Sequence, residues 1–144
     1  MDRFESLILP DTLTNERGWA NVAGDNGKAT YMGITIVNYS KWVGWVYINQ
    51  WISEHGEPAH GHVFTEAEIP GLHAMVVDFY RFTFYGPLGG DKLTNTEAAK
   101  ELFDTAVLNG IGTAIKLSCR AMGIDERTKA DDVFINAFNK ANAI

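Results

Sequence analysis

The second half of the chain is a series of helix-spaced apolar segments, with capping or terminating residues at several of their ends. Thr94 and Glu97 have the spacing of a capping box ahead of such a face. Gly110 would end that helix, since glycine adopts the left-handed conformation without a steric penalty. The next helix is predicted to end at Gly123, and a last one to run from about residue 131 to 141. A chain built in this way should be mainly α-helical.

The first half of the chain adds further helices and one short β element. An N-terminal helical pattern is interrupted by Pro10, which either kinks it or begins a second short helix. Residues 29–37 favour short β-structure, whereas the apolar run of residues 40–52 is long enough to favour a helix. Thr65 and Glu68 form a capping signature before another stretch of helical spacing. We therefore predict a mainly α fold with a small β element.

Composition limits both the architecture and the partners. The sequence has 144 residues, 46% of them hydrophobic, without a repeat or linker, so we expect one domain spanning residues 1–144. Its net charge of -6 and the lack of a Lys/Arg cluster disfavour binding to nucleic acid. There is no window of about 20 apolar residues to suggest a membrane span. The single cysteine, Cys119, lies among apolar residues and is expected to be buried filler. We expect no cofactor and assume a monomer.

One loop between the first helix and the β element carries residues suited to chemistry. Glu16 lies where the first helical segment ends, because Gly18 can close the helix. Asp25 follows in DNGKAT, and Gly27 would let the chain turn back so that Asp25 and Thr30 face Glu16 across a cleft. Glycoside hydrolysis needs such a pair, an acid for the leaving oxygen and an ionised partner for the water. The same residues are more often a solvated helix end and an Asx turn, so both interpretations stay open on chemistry alone.

This loop resembles a known family motif. ERGW followed by DNGKATYMGIT is similar to the E-G-G-Y and D-x-G-G-x-T-x-x-G-I-T pattern of glycoside hydrolase family 108. That family of N-acetylmuramidases includes phage endolysins and bacterial proteins once described as secretion activators. In this alignment Arg17 and Lys28 replace two of the family's glycines, and Gly33 keeps the glycine before Ile-Thr.

Two later segments resemble the family in the same order. FYRFTFYGPLGGDKL is similar to Y-R-x-x-Y-W-x-P-x-x-G-D-x-L and contains Tyr80, Arg81 and Tyr85. ELFDTAVLNGIGTAIKLSCRAMGI is similar to D-x-A-V-N-x-G-x-x-x-A-x-x-x-L-Q-x-A-L-G, with Asp104 at its start and Leu108 in place of the family's Asn. Three motifs in the right order, from the N-terminus to about residue 124, are more specific than any one of them.

The resemblance implies a lysozyme-like helical domain that cleaves the β-1,4 bond after N-acetylmuramic acid in peptidoglycan. The family's catalytic acid is the Glu of E-G-G, here Glu16. By analogy with phage lysozymes, Asp25 and Thr30 would position or activate the attacking water, with inversion at the anomeric carbon. Arg17 and Lys28 either bind carboxylates of the lactyl group or peptide stem or are a solvated pair of surface cations.

Other residues of these motifs are assigned by the same resemblance. Tyr80 and Tyr85 could line the cleft or pack within an apolar helix. Asn109 could supply the amide that the family has one position earlier, where this chain has Leu108. Arg81 is expected to bind the Asp25 carboxylate or another acid. The residues expected to have structural roles are Gly18, Gly27, Gly33, Arg81 and Asp104.

Two further clusters have weaker interpretations. A histidine-rich loop, His55, His60 and His62 with Glu54 and Glu57, lacks a standard metal spacing, so we expect a hydrated loop and no metal. A run of aromatic side chains could stack on sugar rings, although near-helical spacing more often indicates core. That run consists of Trp42, Trp45, Tyr47 and Trp51.

Three functions are compatible with these observations. The favoured one is a peptidoglycan muramidase, such as a phage endolysin or virion lysin. The second is an inactive lysozyme-like domain that binds glycan or a partner in an assembly or secretion machine, which Arg17, Lys28 and Leu108 favour. The third is a lytic transglycosylase, against which Asp25 and Thr30 argue because that reaction uses no water.

The chain ends bear on how such a protein would reach the wall. The opening residues MDRFESLILPDTL are acidic and interrupted by proline, unlike a secretory signal. We therefore expect synthesis in the bacterial cytoplasm and release by a holin, virion delivery or a dedicated exporter. Residues 125–144 are predicted to form one capped helix, a reduced remnant of the wall-binding module common in the family.

Overall fold

The computed structural model describes residues 1–21 and 28–144, and these residues are mainly helical with one small antiparallel sheet. This confirms the predicted fold class. The described residues form two compact units. The first consists of Asp11–Phe79, and the second combines Met1–Pro10 with Tyr80–Ile144. No helix in the part of the chain that the structure describes is long and apolar enough to cross a membrane. That residues 1–144 form one domain stays a prediction.

Short elements dominate the chain from its start to Tyr80. A π-helical turn, Phe4–Ile8, runs directly into helix α1, and Pro10 lies in the first turn of α1. The elements are α1 (Leu9–Asn15), β1 (Trp19–Ala20), β2 (Thr30–Tyr31), β3 (Ile34–Thr35), α2 (Gly44–His55) and α3 (Leu72–Tyr80).

The three strands form a sheet in the order β1-β2-β3, and its hairpin is a tight two-residue turn. Met32 and Gly33 connect β2 to β3 with φ values of 50° and 79°. Positive φ at both positions matches the right-handed twist of paired strands, and Gly33 adopts it without strain. Met32 costs about 1–2 kcal/mol in that conformation. Its buried sulfur accepts a hydrogen bond from the Gly18 N–H at 3.3 Å, which ties the hairpin to the turn after α1.

The predicted capping box at Thr65 forms, but it closes a turn and not a helix. The Thr65 N–H donates to Glu68 Oε1 at 3.0 Å, and the Glu68 N–H donates to Thr65 Oγ1 at 3.1 Å. Helix α3 begins only at Leu72. The chain leaves the helical region in between because Gly71 has a φ of 82°.

Three longer helices make up most of the second unit. Their predicted positions are confirmed to within a few residues, including the Gly123 stop, where φ is 69°. The predicted cap at Thr94 is wrong by one residue. Asn95 Oδ1 accepts the Ala98 N–H at 3.1 Å, and the Thr94 N–H donates to Asn139 Oδ1 at 3.0 Å. The elements are a π-helical turn (Arg81–Tyr85), a 3-10 turn (Gly90–Lys92), α4 (Thr96–Asn109), α5 (Ile111–Met122) and α6 (Asp132–Ala141).

The core of this unit is built around the N-terminal Phe4. Its ring stacks on Tyr85 at 4.4 Å between centroids and meets Phe103 edge-on at 5.2 Å. The neighbouring Arg3 donates to the Tyr85 hydroxyl at 2.8 Å and to the Leu93 carbonyl at 2.7 Å. The first residues of the chain are therefore fixed against α4 and the segment before it.

We predict that Gly18→Ala destabilises the protein more than Gly56→Ala. Both glycines have positive φ, 77° and 82°, so both substitutions carry a backbone strain of about 1–2 kcal/mol. A Cβ at residue 18 would lie 2.4 Å from the Gly61 carbonyl oxygen, whereas one at residue 56 meets nothing within 4 Å. Relieving that overlap should cost Gly18→Ala a further 1–3 kcal/mol or so. Urea unfolding followed by circular dichroism measures both, and equal losses would contradict the packing described for Gly18.

Candidate functional site

Glu16 lies immediately after the last residue of α1, as the sequence predicts. Its N–H donates to the Thr12 carbonyl at 2.9 Å, so the backbone still follows the helical turn. The side chain is half-buried. Within residues 1–21 and 28–144 its carboxylate makes no hydrogen bond or ion pair. A half-buried acid without a structural partner is available for chemistry.

The turn that follows Glu16 is held by hydrogen bonds from two directions. On one side, the Met32 N–H donates to the Gly18 carbonyl at 3.2 Å. On the other, the Trp19 N–H donates to the His62 carbonyl at 2.9 Å, and the Gly61 N–H donates to the Trp19 carbonyl at 2.7 Å. The turn at residues 61–62 is therefore hydrogen-bonded to Trp19 of β1. The backbone of Gly18 and Trp19, just after Glu16, is therefore hydrogen-bonded on both sides.

Residues 61–62 are in turn supported by a cluster of aromatic and polar side chains. The His62 ring lies 2.9 Å from Glu68 Oε1 and packs edge-on against Phe64. The Phe64 N–H donates to the buried Tyr31 hydroxyl at 3.0 Å. The Thr65 N–H, together with His62, holds the pKa of Glu68 below its ordinary value. Burial raises the pKa of Tyr31. The cluster links the turn of residues 61–65 to β2.

Thr30 lies in the strand next to the one that follows Glu16. It pairs with Ala20 of β1 and with Thr35 of β3, and it is half-buried. Asp25 and Gly27, the other two residues predicted for this side of the cleft, lie outside the described residues. Their roles stay predictions.

The predicted substrate-binding cations and amide are all at the surface. Arg17 and Lys28 are both exposed. Asn109 is the last residue of α4 and is exposed, while the preceding Leu108 is 72% exposed. Each of these side chains can therefore meet a polymer from solvent.

Of the two alternatives for Tyr80 and Tyr85, their burial favours packing within the core. Tyr80 is 1% exposed and Tyr85 2% exposed. The Tyr85 hydroxyl accepts a hydrogen bond from Arg3, and burial raises its pKa. Neither ring offers a face to a glycan.

Arg81 pairs with an acid, and one of its partners is Asp2. Its Nη1 lies 2.7 Å from Asp2 Oδ2, and its guanidinium lies 5.0 Å above the Phe4 ring. The Arg81 hydrogen bond holds the pKa of Asp2 below its usual range. Asp104 is half-buried on α4. Arg81 therefore fastens the N-terminus to the segment after α3.

The aromatic run of α2 divides between core and surface. Trp45 is buried, Trp51 stacks on His55 at 4.4 Å, and Tyr47 is exposed. Trp42 is half-buried beside a pocket that the sequence analysis does not predict. Among residues 1–21 and 28–144 no group of three His, Cys, Asp or Glu side chains is arranged to hold a metal ion.

The helical fold, the small sheet and the acid at the end of α1 define a lysozyme-like domain of the glycoside hydrolase type. The family model described as Glycosyl hydrolase 108 matches residues 9–110, and this chain belongs to that family. The structure of Brucella abortus SagA has the same fold, with a TM-score of 0.60 at 24% identity. The match covers 92% of this chain and 66% of the SagA chain, so this chain spans less than two thirds of that length. Comparison with curated proteins gave no match.

We predict that Glu68 supports this site in a pH-dependent manner. Hydrogen bonds hold the pKa of Glu68 below its ordinary value of 4.5, so the stability that its charge provides is present above 4.5. That contribution is lost as the pH falls through the lowered pKa. Glu68→Gln should therefore unfold more easily than the unmodified protein at neutral pH, with the difference vanishing in acid.

Denaturant titrations at a series of pH values measure this difference. Glu54→Gln is the control. Glu54 is exposed, and its carboxylate makes no hydrogen bond or ion pair with the residues that the structure describes. A difference that persists unchanged into strong acid would contradict a role for the Glu68 charge.

Proposed function

We propose that this chain is a lysozyme-type N-acetylmuramidase that hydrolyses the β-1,4 bond between N-acetylmuramic acid and N-acetylglucosamine in peptidoglycan. The observation that carries the proposal is the half-buried Glu16, which lies between the end of α1 and a backbone segment, Gly18 and Trp19, that is hydrogen-bonded on both sides. A general acid must keep its position while the sugar distorts, so a rigid support is what catalysis requires. Family membership supports a glycan substrate, and the matched range of residues 9–110 contains this turn.

In the proposed reaction, Glu16 donates its proton to the glycosidic oxygen as the bond to the anomeric carbon breaks. A water attacks the opposite face of that carbon, and its proton passes to Asp25. The Thr30 hydroxyl holds the water in line. The products are a new reducing end and a free hydroxyl on the departing sugar, with the anomeric configuration inverted.

Arg17 and Lys28 are proposed to hold the carboxylates of the lactyl group or peptide stem. Both are exposed cations in a chain whose net charge is -6. Cations close to the reacting bond favour an anionic polymer and offset its repulsion by the rest of the surface. The proposed setting is release or delivery to the bacterial wall, as in phage lysis or entry.

A second candidate function is glycan or partner binding without cleavage. Leu108 is the observation that favours it, because an apolar side chain that is 72% exposed stands where the family pattern has Asn. Arg17 adds to this, since a bulky cation stands beside Glu16 where the family pattern has a glycine.

We predict that Glu16→Gln abolishes clearing of a peptidoglycan suspension. Glutamine keeps the shape of the side chain and removes the proton donor, so the rate should fall about 100-fold or more. Turbidity loss of purified sacculi measures the rate, with folding matched by circular dichroism. Glu54→Gln is the matched control, because Glu54 is also a glutamate at the C-terminal end of a helix, α2.

Two results would count against the enzyme. One is equal clearing by Glu16→Gln and the unmodified protein. The other is no clearing by either protein across pH and sacculus types while both still sediment with the sacculi, which would favour the binding function.

We predict that the digested glycan carries hydrated reducing ends. A muramidase adds water across the bond, whereas a lytic transglycosylase forms an intramolecular 1,6-anhydro ring and a product lighter by one water. Mass spectrometry of the fragments distinguishes the two. A predominance of anhydro ends would keep Glu16 as the acid but remove the proposed water and the roles of Asp25 and Thr30.

A further inference from the structure

A pocket of about 380 Å³ lies in the unit formed by Asp11–Phe79, where the chain passes from β3 into α2. It combines aromatic walls with polar side chains. The described residues that line it are Asn38, Tyr39, Ser40, Lys41, Trp42 and Phe79. Small-molecule sites in proteins commonly join apolar walls to a few polar groups that fix the orientation of the ligand.

The Trp42 ring is held in place without being covered. Its indole N–H donates to the Met75 carbonyl at 3.3 Å, and its ring meets Trp45 edge-on at 5.7 Å. The ring lies over Gly44, where an added Cβ would come within 2.3 Å of it. The side chain stays half-buried, so part of the indole borders the pocket.

A perpendicular pair of rings adds to the aromatic lining. Tyr39 and Phe79 meet edge-to-face at 4.7 Å, and the Phe79 ring lies 6.2 Å from Trp42. The backbone beneath them is hydrogen-bonded, since the Tyr39 N–H donates to the Thr35 carbonyl at 2.9 Å and the Trp42 N–H to the Tyr39 carbonyl at 3.0 Å. The pocket is therefore preorganised.

The polar groups of the pocket match a charged sugar. Aromatic faces pack against the apolar C–H faces of a pyranose, and the Asn38 amide and Ser40 hydroxyl can bond to its hydroxyl or acetamido groups. Lys41 is exposed and makes no ion pair with any residue in the described parts of the chain. Its ammonium is available to a carboxylate.

We infer that this pocket binds a saccharide unit of an anionic glycan, with Lys41 pairing to the carboxylate that the sugar carries. The inference rests on the proposed function for the class of glycan and adds a contact that no family motif contains. This pocket differs in the charge of its lining from a larger groove of about 430 Å³ that is lined by residues of α4, α5 and α6. Among the described residues that line the groove, Glu101 is the one charged side chain, and it would repel an anionic glycan.

The test compares Lys41→Gln with Lys116→Gln, which removes an exposed lysine from α5. Both changes are made in Glu16→Gln, so that the ligand is not consumed. The probes are soluble uncrosslinked peptidoglycan fragments with free stem carboxylates and neutral chitotetraose, titrated by calorimetry. Lys41→Gln should weaken binding of the anionic fragment about fivefold, while its affinity for chitotetraose and the behaviour of Lys116→Gln stay unchanged.

Tyr39→Leu tests the aromatic wall separately. It should weaken binding of both probes, because the ring contributes to stacking on either sugar. The inference is overturned if Lys41→Gln binds the anionic fragment as Lys116→Gln does, or if Tyr39→Leu binds both probes normally while folded. If sacculi are never cleared but Lys41→Gln still loses affinity, the pocket inference stands and the enzyme fails, so the two outcomes are distinguishable.

Discussion

The rest of the candidate site depends on the backbone of Gly18 and Trp19, where three distant segments meet. The Gly18 carbonyl accepts from the hairpin, and Trp19 exchanges hydrogen bonds with residues 61–62. A hydrogen atom is the largest substituent that fits at residue 18, because the Gly61 backbone occupies the space of a Cβ. The position of Glu16 is therefore set by tertiary contacts, and the end of α1 alone would leave it free to fray.

The residues that stabilise the turn are different from the residue proposed to act on the substrate. The side chains that stabilise the turn, such as His62 and Glu68, are engaged with one another. The Glu16 carboxylate makes no hydrogen bond or ion pair with the residues that the structure describes. A residue relieved of structural contacts can be protonated, deprotonated or substituted with little effect on folding, which is what a general acid on a stable scaffold requires. The same logic applies to Lys41 beside its aromatic pocket.

The sequence patterns correctly predicted those features that depend on interactions between residues close together in the chain. The helix ending at Gly123 and the capping bonds between Thr65 and Glu68 follow from nearby residues alone. The burial of Tyr80 and Tyr85 does not, because an aromatic residue in an apolar helix has the same local pattern whether its ring faces the core or a groove. The pocket is invisible in the sequence for a similar reason. Its walls pair Tyr39 with Phe79, which only the folding of α3 brings together.

The central claim is that Glu16 delivers a proton to a glycosidic oxygen, and the most direct measurement is a crystal structure of Glu16→Gln with a bound peptidoglycan tetrasaccharide. The account predicts the amide of residue 16 within hydrogen-bond reach of a bridging oxygen, about 2.6–3.2 Å. It also predicts the Asp25 carboxylate within about 10 Å of that amide, across the anomeric carbon. A glycan bound in full occupancy with every bridging oxygen beyond the reach of residue 16 would contradict the account.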